Sequence, residues 1–140
     1  MVKKMNIVIV GLGNIGSYFY NYLNKNKNII FNKTNTIPNI LFVSAKSLSK
    51  KRNFNLPKKI WLKNSLSAAK IKNVDIIVEL IGGSEGPAKK LVFAALKNKK
   101  HVITANKALV SKYGDQLSKI AEKNKVNFEF EAAVCGGIPI

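Results

Sequence analysis

Three glycines in the run Gly11-Leu12-Gly13-Asn14-Ile15-Gly16 have the spacing of a loop built to receive phosphate. In such a loop the first glycine permits a tight turn. The second lets a pyrophosphate reach the backbone, and the third allows close packing of helix on strand. Alone the pattern is weak. Its context strengthens it: the run follows an apolar stretch, NIVIV at 6–10, and opens a segment with apolar residues at helical spacing. A helix starting there adds free N–H groups and partial positive charge for an anion.

The residues downstream bear on which dinucleotide would fit. An NAD site usually places an Asp or Glu at the end of the second strand, to accept from a ribose hydroxyl. No carboxylate precedes Asp75 in this chain. Lys46 follows the expected second strand instead, with Lys50, Lys51 and Arg52 just after. Cationic donors suit a 2′-phosphate, so this pattern favours NADP and leaves NAD open. The competing reading is that these are solvated lysines of a lysine-rich chain. Further on, Gly82-Gly83 closes an apolar strand, and a backbone without side chains can approach a cofactor closely. Lys107 lies just past the next strand, where a lysine can orient a cofactor or hold a carbonyl or carboxylate. It reads equally as a surface lysine at a helix start.

These positions need a scaffold of alternating strands and helices. Residues 6–10 read as a buried parallel strand, and Ile15, Tyr18, Phe19, Tyr22 and Leu23 as one helix face. Polar residues 26–39 read as a loop, 40–45 as the second strand, 47–59 as a basic loop and 60–62 as a short third strand. A brief helix is expected at 65–71 and a central strand at 75–81. Pro87 suits the first turn of a helix, whose apolar stripe is Ala88, Leu91, Val92, Ala95 and Leu96. A strand at 101–104, a helix at 109–123 interrupted near Gly114, and a strand at 126–131 complete the chain. Five or six strands with crossovers predict an α/β, Rossmann-type doubly wound fold. Its sheet is mostly parallel, with helices on both faces.

Three segments carry a more specific signal: DIIVELIGG at 75–83, HVITANKAL at 101–109 and EAAVCGGIPI at 131–140. Together they resemble homoserine dehydrogenase, which interconverts aspartate semialdehyde and homoserine. The resemblance runs from Asn6 to Ile140 and is weakest over residues 24–73. It implies hydride transfer between NADPH and the aldehyde, on the route to threonine, methionine and isoleucine. It implies that Lys107 touches the cofactor near the reacting centre. It also implies a monovalent cation, sodium, held by Glu131, Val134, Gly136 and Ile138, mostly through backbone carbonyls. Where the family has an Arg-Asp pair after its second strand, this chain has Lys46 and Ser47, which weighs against NAD. Residues 1–134 then form the dinucleotide-binding domain, and 135–140 begin the connection to a substrate domain. The family's acid/base and homoserine-binding residues lie in that second domain, so no catalytic residue is expected within these 140 residues. A homo-oligomer is expected of the full-length enzyme.

Other classes fit less well. An aspartate dehydrogenase shares the architecture but not the Ala-Asn-Lys-Ala and Gly-Gly-Ile-Pro segments. A non-enzymatic nucleotide-binding or nucleic-acid-binding module is suggested by the net charge of +17. Against specific nucleic-acid binding, the cations are scattered and nearly all lysine, with Arg52 the lone arginine. One cysteine, Cys135, excludes an internal disulfide and reads as a small apolar filler. The lone histidine, His101, reads as edge packing. Glu79 sits inside an apolar strand, where a carboxylate needs hydrogen-bond partners, and is assigned no catalytic role. No apolar run approaches the ~20 residues of a membrane span, and no cleavage site follows the first apolar stretch. A cytoplasmic protein is expected.

Overall fold

Ile7, Val8, Ile9 and Val10 have no polar neighbour to turn outward, so a strand made of them needs cover on both faces. The computed structural model describes residues 2–130. In it β1 (Lys3–Val10) is flanked by β2 (Thr36–Ser44) and β3 (Ile76–Glu79). Strands β4 (His101–Thr104) and β5 (Phe128–Glu129) extend the sheet, in the order β2-β1-β3-β4-β5 with every pairing parallel. Val8 and Val10 enter a core with α3 (Pro87–Lys97) and α4 (Lys107–Asn124), where Leu91, Leu96, Leu109 and Leu117 are fully buried. Ile7 and Ile9 enter the opposite core, against Tyr20 and Leu23 of α1 (Asn14–Lys25). Two cores on opposite faces make the doubly wound α/β fold that the sequence predicts.

Several boundaries differ from the sequence reading, each for a local reason. The expected loop at 26–39 instead holds α2 (Lys27–Thr34) and the start of β2. Asn35 ends α2 in the left-handed region, with φ of 52°. Pro38 is tolerated in β2 because that strand borders the sheet. The third strand expected at 60–62 is reduced to one parallel bridge between Val43 and Trp61, because a 3-10 turn at Lys58–Ile60 precedes it. The helix expected at 65–71 is a 3-10 turn, Ser65–Lys70. β3 stops at Glu79, whose own carboxylate takes the N–H groups of Ile81 and Gly82. The last strand spans only Phe128–Glu129, since the Val126 N–H turns back to the Ala121 carbonyl to close α4. Among the described residues no helix is long and apolar enough to cross a membrane.

Helix α4 starts at Lys107, two residues earlier than expected, and runs through Gly114 without interruption. Asn106 caps it, its side-chain oxygen accepting from the Leu109 N–H at 3.1 Å. A Cβ on Gly114 would meet only a methyl group of Val110, at 3.4 Å. Gly114→Ala should therefore raise stability by about 0.5–1 kcal/mol, the helix-propensity difference. Urea unfolding of the two forms measures it, and a loss of stability would show that the Val110 side cannot yield.

Candidate functional site

A parallel sheet puts every strand's carboxyl end on one edge, and four strands reach that edge in register. Ser44, Val10, Glu79 and Thr104 stand side by side across β2, β1, β3 and β4. The loops that leave this row are the ones carrying the sequence-predicted residues. The Gly11 N–H donates to the Ser44 carbonyl at 2.8 Å, and the Leu80 N–H to that of Val10 at 2.7 Å.

The three glycines of the first loop have different reasons for being glycine. Gly11 has φ of +106°, and a Cβ there would lie 2.5 Å from the Leu80 carbonyl oxygen. A Cβ on Gly16 would fall inside the carbonyl oxygen of Gly11. Both are therefore required by the fold itself. Gly13 has an ordinary φ of −75°, and a Cβ on it would meet nothing within 4 Å. Among the described residues nothing demands glycine at 13, which leaves its backbone open to a ligand lying against it. Gly13 is also the residue before α1, which has no side-chain cap, so its first-turn N–H groups face the open side.

A cleft of about 310 Å³ joins this loop to the ends of β2 and β3, lined by Gly11, Leu12, Gly13, Lys46, Lys50, Arg52 and Ile81 among others. A second, of about 350 Å³, continues from Gly13 and Asn14 along Ser17 and Tyr18 to the same basic loop. The expected residues Gly11, Leu12, Gly13, Lys46 and Arg52 are thus brought together, and Asn14 adjoins them. Ile15 is 65% exposed and lines neither cleft, while Gly16 is buried beneath the loop. Lys50, only one of a basic cluster in the sequence, faces both clefts.

Arg52 is placed at the crevice but spends its donors on its own loop. Its terminal nitrogens donate to the carbonyls of Lys50 at 2.9 Å, Ser47 at 2.8 Å and Leu48 at 3.3 Å. Its Nε is buried with no hydrogen-bond partner among the described residues. The guanidinium therefore shapes the loop around a fixed positive charge, and Phe54, stacked 4.9 Å from Tyr20, anchors that loop on α1. Lys46 and Lys50 remain as the lysines lining the 310 Å³ cleft.

Across the sheet, Gly82 and Gly83 take φ of +76° and +83°, and a Cβ on Gly82 would project into open space. The turn is shaped from below by Glu79, which is fully buried. One oxygen accepts from Ile81 N–H at 2.8 Å and Gly82 N–H at 3.1 Å, and the other from the Thr104 hydroxyl at 2.5 Å. Thr104 Oγ1 accepts from the Asn106 N–H at 3.1 Å, and Asn106 Nδ2 donates to the Gly83 carbonyl at 2.7 Å. Lys107 is exposed at the next position, beginning α4. Sequence reasoning missed Thr104 and Asn106. A polar pair before a lysine at a helix start was the available signal, read only as part of a family segment. Glu131, Val134, Gly136 and Ile138 lie outside the described residues.

The far end of the β3–α3 loop is held by charge. Glu85 bonds Lys112 at 2.6 Å, the Tyr113 hydroxyl, and Lys89 at 3.1 Å. Lys89 also donates to Tyr113 at 2.8 Å and sits 4.1 Å from its ring centroid. The hydrogen bonds from Lys112, Tyr113 and Lys89 hold the Glu85 carboxyl down at about 2 instead of 4.5. The group is exposed, so this cluster orients the loop more than it stabilises the fold.

The chain matches the family model "Homoserine dehydrogenase, NAD binding domain" over residues 11–131. It is 38% identical to a homoserine dehydrogenase of Neisseria gonorrhoeae over 139 residues, covering 99% of this chain and 32% of that protein. Homoserine dehydrogenase of S. aureus superposes with a TM-score of 0.87 at 37% identity, over 96% of this chain and 34% of the other. A hyperthermophilic archaeal homoserine dehydrogenase, solved in complex with NADPH, shares the fold with a TM-score of 0.73. It is 20% identical, over 94% of this chain and 44% of that one. The chain spans about a third of the length of the curated relatives it matches.

Gly16→Ala should destabilise the fold, since α1 must shift from the Gly11 carbonyl, whereas Gly13→Val should fold normally and lose dinucleotide binding; thermal unfolding by circular dichroism and calorimetry read the two, and near-native binding by Gly13→Val would remove the loop as the phosphate site. The Glu85 carboxyl should titrate near 2, followed by NMR of its side-chain carbon. Since its folded value lies below the unfolded one, its contribution is present above the usual glutamate range and is lost as pH falls through about 2. Tyr113→Phe and Lys112→Ala should each raise the midpoint.

Proposed function

This chain belongs to the homoserine dehydrogenase family, whose NAD-binding domain it forms, and from that premise we propose that it holds NADPH for reduction of aspartate semialdehyde to homoserine. One observation carries the cofactor reading: Gly13, which nothing among the described residues requires to be glycine, opens onto a crevice whose described lining includes Lys46 and Lys50 and no carboxylate. The uncapped start of α1 takes the pyrophosphate beside Gly13. Lys46 and Lys50 take the 2′-phosphate, within the loop that Arg52 closes on itself. Gly82 and Gly83 offer bare backbone to the nicotinamide half, and Lys107 stands at the start of α4 beside it.

Bound there, the nicotinamide supplies the hydride. The residues of this chain position it and keep its anionic half in place. Holding the aldehyde, the amine and the carboxylate of the substrate together needs more groups than Lys107, and in this reading they come from a separate substrate domain. Calorimetry with NADPH and NADH tests the proposal. NADPH should bind tighter by about tenfold or more, the scale of one charge-assisted contact set, and Lys46→Ala should narrow the gap. Residues 1–140 alone should bind NADPH and give no turnover with aspartate semialdehyde. Equal or NADH-favouring affinity would overturn the NADP reading.

A further inference from the structure

We infer that Asn106 is a positioning residue for the cofactor, the free end of a buried relay, Glu79–Thr104–Asn106, that fixes the Gly82-Gly83 turn relative to Lys107. The inference rests on the nicotinamide half lying over that turn, as proposed above.

Each member of the relay has an alternative it does not take. Glu79 stands on a strand buried on both sides, where its neighbours Ile77 and Val78 are apolar. A buried carboxylate is retained at a cost unless its lone pairs are met, and these are met by Ile81, Gly82 and Thr104. Asn106 caps α4 through Oδ1, a task that Asp or Ser performs as well. What Asp and Ser lack is the Nδ2 donor aimed at the Gly83 carbonyl at 2.7 Å. The amide therefore does two things at once: it starts the helix that Lys107 begins, and it holds the turn across from it. Glu79 fixes the N–H side of that turn and Asn106 the carbonyl side, so rotation of the glycine pair breaks a part-buried hydrogen bond on one side or the other. Gly82 and Gly83 both have positive φ, which frees them from the strand and makes such a restraint necessary.

In the proposed pose the adenosine half lies in the cleft lined by Lys46 and Lys50, which Gly82, Gly83 and Asn106 do not line, so the relay acts on one half of the cofactor only. Asn106→Asp keeps the cap and removes the donor to Gly83. Thr104→Val cuts the relay in its middle, and Thr104→Ser restores its hydroxyl. Each chain is titrated with NADPH, with adenosine 2′,5′-bisphosphate as a probe of the adenosine half, and by the rise in nicotinamide fluorescence on binding. Asn106→Asp and Thr104→Val should weaken NADPH about tenfold and blunt the fluorescence rise, leaving the bisphosphate unchanged, with Thr104→Ser near wild type. A purely structural role predicts otherwise: both ligands weaken together, or neither does, and either result overturns the inference. Should the unaltered chain bind the bisphosphate but not NADPH, the nicotinamide placement itself fails. Should it bind neither, the cofactor reading fails. Both results overturn the relay as a positioning device.

Discussion

The contact that the rest of this molecule depends on is the seat of Gly16 on the carbonyl of Gly11. No Cβ fits between them, so α1 begins closer to the sheet than any other residue would permit. That closeness aims the first turn of α1 over the end of β1 and leaves Gly13 at the open lip. It also sets where Tyr20 lies, and with it Phe54 and the basic loop beyond. One backbone contact thus places the uncapped N–H groups of the first turn and, through an aromatic stack, the basic loop opposite them.

The two halves of the crevice are built by different physics. On the β2 side the loop is held by Arg52 against its own carbonyls, a charge embedded in a short segment. On the β3 and β4 side the turn is held by a fully buried carboxylate with uncharged partners, far less sensitive to solvent and salt. The surface cluster around Glu85 fixes the outer end of the same turn. A rigid inner anchor and a charged outer one together leave the glycine pair as the part with conformational freedom to be restrained.

Much of this was legible in the residues, and what was not has physical causes. The helix at Pro87 was readable because its apolar period and the proline at its first turn agreed, and strand 101–104 because a short run rich in β-branched residues follows that helix. The helix at Lys27–Thr34 was not, because its apolar residues Ile29, Ile30 and Phe31 are consecutive and make no helical stripe among the asparagines and lysines. The third strand was overread at Trp61, where one bridge forms and the chain then leaves the sheet. At the site, Gly11, Gly13 and Gly16 were identified by spacing, though only coordinates separate the two that the fold requires from the one it does not. The direction of Arg52 was hidden because a guanidinium chooses among nearby carbonyls after the loop has formed. The partnership of Glu79 with Thr104 was hidden because it depends on strand register, which brings together residues 25 apart in the chain.

The absence of acid from the first 74 residues has a kinetic meaning. The loops of that half which line the crevice mouth carry Lys46, Lys50 and Arg52 and no acid, so a polyanionic ligand meets an attractive field well before contact. Arrival should be fast and should slow as ionic strength shortens the reach of that field, since the Debye length shrinks with added salt. Departure is governed by contacts already formed and should change far less. Encounter and residence would then be tuned by different parts of the chain, the lysine-rich segments setting the first and the glycine turns the second.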